Sequence, residues 1–89
     1  MPTLHLLIKG KVQGVFYRAS AKDIAKQIGV TGWIKNTVHG DVEAVVSGSQ
    51  AQVEEFTEWC KTGPRRAVVI EVIVTPQADQ LFVVFNIER

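Results

Sequence analysis

The chain has 89 residues, 46% hydrophobic and 21% charged, which supports one hydrophobic core and excludes a separate lid or regulatory domain. Ten basic against nine acidic side chains leave a formal net charge of +1, which excludes a whole-molecule field that would gather a polyanion such as nucleic acid. The lone Cys60 cannot close an internal disulfide and has no second Cys or His at zinc-site spacing, and no run approaches the ~18 apolar residues of a membrane helix.

In chain order, Thr3 to Lys9 alternates, with Leu4, Leu6 and Ile8 on one face and Thr3, His5 and Lys9 opposite, the pattern of a first strand. It lacks the long apolar core of a signal peptide. From Arg18 the spacing turns helical: Ala21, Ile24, Ala25 and Ile28 share a face until Gly29 stops the helix. Val30 to Asn36 and Asp41 to Ser47 read as strands of a hairpin turned by Thr37, Val38, His39 and Gly40. Ser49 and Gln52 form a capping-box pattern ahead of the stripe Val53, Phe56, Trp59, Cys60, and that second helix ends at Gly63-Pro64. Ala67 to Thr75 is a β-branched strand fit for a sheet edge, and Leu81 to Ile87 reads as a shorter fifth strand after a turn at Pro76 to Asp79.

This order, βαββαβ plus a short fifth strand, predicts an α+β, ferredoxin-like split βαβ sandwich. Two helices cover one face of an antiparallel sheet, and right-handed crossovers leave the first and third strands at its centre. The expectation is a single domain over residues 1–89, monomeric and cytoplasmic, with no membrane or nucleic-acid partner. Such a fold hosts carriers, RNA binders, regulatory domains and enzymes, so function must be argued from a site.

The most informative stretch is the loop Gly10-Lys11-Val12-Gln13-Gly14-Val15-Phe16-Tyr17-Arg18. Its glycines fit a tight turn, and they also fit a nest of backbone N–H groups that cradles an anion at a helix N-terminus. Arg18 adds a planar fork of donors suited to two phosphate oxygens, and an arginine opening a helix opposes the macrodipole unless an anion compensates it. The loop is neither a Walker loop nor a dinucleotide fingerprint, because Val15 and Phe16 follow Gly14. Asn36 ends the strand that the topology places across the sheet from the start of strand one or from its following loop, depending on register. Its amide fits a water-holding role, and Asn36-Thr37 fits an ordinary turn start as well.

Other residues carry plainer readings. His5 and His39 are surface histidines without a metal pattern, and Cys60 is a small buried hydrophobe. Trp33 and Trp59 pack, with Trp33 also fitting the open sheet face, and Glu54, Glu55 and Glu58 form a solvated helix face. Arg65 and Arg66 are too few charges for a nucleic-acid surface.

Residues 10 to 18 resemble the first signature of the acylphosphatase family. Gly32-Trp33-Ile34-Lys35-Asn36-Thr37-Val38-His39-Gly40-Asp41-Val42, with Gly48 following, resembles the second. The resemblance extends over essentially the whole chain. It implies hydrolysis of the carboxyl–phosphate bond of a small acyl phosphate to a carboxylate and inorganic phosphate, without a metal or other cofactor. It also implies that the backbone of Gly10, Lys11, Val12, Gln13, Gly14, Val15 and Phe16 holds the phosphate together with Arg18. Asn36 would position the attacking water and Thr37 would support Asn36. The alternative is a non-catalytic ferredoxin-like module that binds an anion or a partner. An RNA-recognition module fits worse, for want of its aromatic strand pattern. A domain excised from a larger carbamoyl-phosphate-processing protein is also weighed, and the start at Met1 with no trailing linker is read against it.

Overall fold

A computed structural model describes residues 1–88. Its elements run β1 (Thr3–Lys11), α1 (Tyr17–Ile28), β2 (Thr31–Asn36), β3 (Val42–Ser47), α2 (Gln50–Thr62), β4 (Val68–Gln77) and β5 (Phe85–Ile87). They build one sheet in the order β4-β1-β3-β2-β5, with β1 and β3 adjacent and β3 lying between β1 and β2, as right-handed crossovers require.

The register explains which side chains are buried. Leu6 faces Ala44 and Ile8 faces Val42 across β1 and β3, and Ile34 faces Ala44 across β2 and β3. This row packs against Tyr17, Ala21 and Ala25 of α1 and Val53, Phe56 and Cys60 of α2 in one core, because period-2 and period-3.6 patterns each place their apolar residues on a single face. Ile24, Ile28 and Trp59 are only partly buried at its margin. Each helix ends as its sequence foretold. Ser49 and Gln52 close a reciprocal capping box on α2, and Gly29 caps α1 in the left-handed conformation.

The sheet departs from the all-antiparallel expectation at its fifth strand. β1, β3, β4 and β2 pair antiparallel, whereas β5 lies parallel to β2, with Gly32 facing Phe85 and Ile34 facing Ile87. β4 finishes at one edge, and β5 starts at the other. Crossing four strand spacings of about 4.8 Å takes roughly 19 Å, the larger part of the ~26 Å that the chain from Gln77 to Phe85 spans when extended. Too little chain remains to travel back along the sheet to its other end as well, so β5 enters from the end at which β4 finishes and runs antiparallel to β4 and parallel to β2.

The same crossing shortens the fifth strand from the expected Leu81 to Ile87 down to Phe85–Ile87. Leu81 and Val83 stay exposed. The crossing segment also buries Thr3, expected on the polar face: its Oγ1 lies 2.7 Å from Ser47 Oγ and accepts the Gln80 N–H at 2.9 Å. Pro76, expected in a turn, lies inside β4 opposite Leu4, a position open to proline because β4 is an edge strand. At the other end β1 continues through Lys11 rather than stopping at Lys9, α1 begins at Tyr17, and Asp41 belongs to the hairpin turn.

Candidate active site

The end of β1 aims the loop. Gly10 pairs with Val69 and Lys11 with Val68 after a register shift between Lys9 and Gly10, a bulge that bends the strand. Gly10 has φ 130, and a Cβ there would sit 2.1 Å from Val68 O, so a side chain would force β4 away. Beyond Lys11 the chain leaves the sheet, held to the core by buried Val12 and Val15. It then enters α1 through Phe16, whose φ of 64 and ψ of 23 are left-handed. That conformation costs a residue with a Cβ about 1–2 kcal/mol.

Arg18 stands in the first turn of α1, where no acidic residue occurs and no side chain caps the helix. Among the described residues, no carboxylate lies within ion-pair distance of Arg18. The guanidinium of half-buried Arg18 and the free N–H groups of the helix start therefore add positive potential at one place.

The opposite wall is the end of β2. Asn36 faces Val42, which faces Ile8 on its other side, so the register sets Asn36 beside the end of β1 and its loop rather than the strand's start. Asn36 Oδ1 is buried and has no hydrogen-bond partner among the described residues. An orphaned acceptor of this kind costs about 1–3 kcal/mol and is a group whose role the fold does not explain.

The two walls are tied together. Gln13 Nε2 donates to Thr37 O and to Asp41 O, each at 2.8 Å. Thr37 Oγ1 accepts from Asp41 N at 3.1 Å and His39 N at 3.3 Å, and Lys9 Nζ donates to Asp41 Oδ2 at 3.1 Å. The turn that follows Asn36 is thus fastened to the loop by Gln13 and to β1 by Lys9.

Between the walls lies an open cleft of about 650 Å³, lined by Val12, Gly14, Phe16, Tyr17, Arg18, Ala19, Asn36 and Ile87. Of the residues singled out from sequence, Val12, Gly14, Phe16, Arg18 and Asn36 meet there. Gly10 and Lys11 lie in β1, Gln13 reaches the hairpin, Val15 is buried in the core and Thr37 braces the turn. Sequence reasoning missed two contributions: the side chain of Gln13, whose partners lie 24 and 28 residues away, and Ile87, which the parallel pairing of β5 brings to the cleft. Neither carries a local signal.

Among the described residues, Arg18 is the only charged side chain lining the cleft. Burial, reinforced by Cys60, pushes the Tyr17 phenol well above its ordinary range, and its O–H donates to Cys60 O at 2.7 Å. Burial likewise pushes the Cys60 thiol up to about 12, partly offset by the Tyr17 hydrogen bond, so this cysteine is no nucleophile. What remains is a fixed cation, a set of backbone donors and one amide acceptor. That set can hold a phosphate and a water molecule, and among the described residues it contains no general acid.

A family model described as acylphosphatase matches residues 4–87. An acylphosphatase from Marinobacter nauticus is 53% identical over 68 residues, 76% of this chain and 74% of the relative. One from Haloquadratum walsbyi is 44% identical over 85 residues, 96% of this chain and 91% of the relative. The solved structure of an acylphosphatase from Coxiella burnetii superposes with a TM-score of 0.94 at 37% identity, covering 98% of this chain and 92% of that one. Matched in sequence and in backbone over nearly its whole length, the chain belongs to the acylphosphatase family of hydrolases acting on acyl phosphates.

Proposed function

We propose that this chain, as a single domain over residues 1–89, hydrolyses acyl phosphates in the cleft between its loop and Asn36, without a metal or other cofactor. The backbone of residues 10–16, chiefly from Val12 onward where the chain leaves the sheet, and the Arg18 guanidinium hold the phosphate. Asn36 orients the attacking water, and Thr37 keeps Asn36 in place by bracing the following turn. The observation that carries this reading is the buried, unpartnered Oδ1 of Asn36 in the same cleft as Arg18. A water O–H supplies the donor that the described residues do not.

The chemistry matches what the cleft contains. A carboxylate leaves at neutral pH without protonation, since its conjugate acid has a pKa of about 4, so no general acid is required. The transition state spreads charge over the equatorial phosphate oxygens, where Arg18 and preorganised N–H groups act by position rather than by proton transfer. The water's proton passes to a phosphate oxygen of the substrate. All the proposed groups come from one chain, so a monomer suffices. A buried thiol at Cys60 fits a reducing cytoplasm.

The test is hydrolysis of benzoyl phosphate by the purified protein in chelator, with Arg18→Gln and Asn36→Ala alongside. Arg18→Gln loses turnover by roughly 10²–10³ together with inhibition by inorganic phosphate. Asn36→Ala loses turnover and keeps phosphate inhibition. Wild-type rates in both folded variants would refute the site. Activity lost on chelation and restored by a metal would refute the metal-free mechanism. A folded wild type without turnover would leave the non-catalytic anion-binding module.

A further inference from the structure

The cleft is larger than a phosphate. A water occupies about 30 Å³ of liquid and a phosphate displaces only a few, whereas the cleft measures about 650 Å³. Much of the remaining space belongs to whatever the phosphate is attached to. Among the described residues, the side chains that line it beyond Arg18 and Asn36 offer no second charge.

Phe16 is the anomaly. Among the described residues, six glycines have positive φ, and Phe16 is the only non-glycine that does. Its side chain gains little burial in return, since the residue is 71% exposed, and it lines the cleft beside Arg18. Glycine or asparagine would adopt this backbone with less strain. A strained backbone carrying an exposed aromatic ring next to a site supports a hypothesis about what the ring does. Ile87, 37% exposed, supplies a second apolar group to the same cleft from β5.

We infer that Phe16 and Ile87 form the surface that receives the acyl group, and that the preferred substrates are acyl phosphates with a bulky apolar acyl group, aromatic or branched aliphatic. This inference rests on the proposed function above. An acyl group bearing its own carboxylate or ammonium would lose water against these side chains with no partner in return. A small acyl group such as acetyl would leave the apolar surface unused.

The experiment compares kcat/KM for benzoyl phosphate and acetyl phosphate in the wild type, Phe16→Gly, Phe16→Leu and Ile87→Ala. Comparing each variant's ratio with that of the wild type cancels the intrinsic reactivity of the two substrates. The ratio of benzoyl to acetyl falls about tenfold or more in Phe16→Gly and by a few-fold in Phe16→Leu and Ile87→Ala. Glycine fits the backbone at this position, and Phe16→Leu and Ile87→Ala keep the test decisive should Phe16→Gly fail to fold. An unchanged ratio with both rates lowered would overturn the inference, because the ring would then only shape the loop. A wild type that does not favour benzoyl phosphate would overturn it too. If the wild type hydrolyses neither substrate, the parent reading falls and this one with it; if Arg18→Gln abolishes both activities while the ratios stay fixed, only this inference falls.

Discussion

Replacing Gln13 by alanine removes the two hydrogen bonds that join the loop to the β2–β3 turn. Asp41 O keeps a second donor, Thr37 N at 2.9 Å, whereas Thr37 O keeps only a long contact from Gly40 N at 3.4 Å. At about 1 kcal/mol net for each bond, the loss is about 2 kcal/mol. A chain of 89 residues has roughly 4–13 kcal/mol in total at the usual stability per residue. Gln13→Ala therefore stays folded at room temperature while its Tm drops on the order of 10 °C. Asn36 immediately precedes the released turn, so kcat falls roughly 10–100-fold through misplacement of the water, and inhibition by inorganic phosphate changes less. Gln13→Glu is nearly isosteric yet sets a carboxylate against two carbonyl oxygens, so it is less stable than Gln13→Ala at pH 7. The introduced carboxyl regains one donor when protonated, and folding raises its pKa. The extra deficit of Gln13→Glu over Gln13→Ala therefore narrows as the pH falls toward 4 and widens again as it rises. Thermal melts at two pH values and steady-state kinetics provide the readout. A Gln13→Glu variant as stable and as active as wild type would refute the claim that this side chain couples the two walls.

Two further expectations concern the scaffold. Gly32 has φ 140, and a Cβ there would stand 1.9 Å from Val45 O in the neighbouring strand; Gly32→Ala breaks the β2–β3 pairing and loses several kcal/mol, which urea denaturation checks. The raised pKa values of buried Tyr17 and Cys60 make stability depend on alkaline pH. The unfolded thiol ionises near 9 and the folded one only near 12, so stability is fully present below pH 9 and declines between those values as the unfolded chain sheds protons that the folded one retains. Urea midpoints at pH 8 and pH 11 show the decline, and Cys60→Ala makes it shallower; an equal slope in the variant would remove Cys60 from the account.

The elements most legible in the sequence are those set by local patterns. The capping box at Ser49 and Gln52, the glycine that ends α1, and the periodicities of β1 and α2 act between residues a few positions apart, and each appears where its chemistry requires. The motif residues Arg18 and Asn36 were legible as chemical types, whereas which end of β1 Asn36 faces was left to the strand register. The fifth strand was less legible. Leu81 to Val84 has strand composition, yet those residues are used in crossing the sheet, a demand that depends on where β4 ends.

The sequence by itself determined the element order, the central pair of strands, the family resemblance and the identity of a cation and an amide that could serve phosphate chemistry. These follow from side-chain periodicity, capping and glycine placement, which are encoded within short windows. Only the tertiary structure decided that β5 runs parallel to β2, that Ile87 reaches the cleft, that Gln13 fastens loop to hairpin, and that Asn36 keeps a buried acceptor unpaired. Each of those depends on groups far apart in the chain, whose meeting is set by strand register and by the reach of a short crossing segment rather than by any local preference.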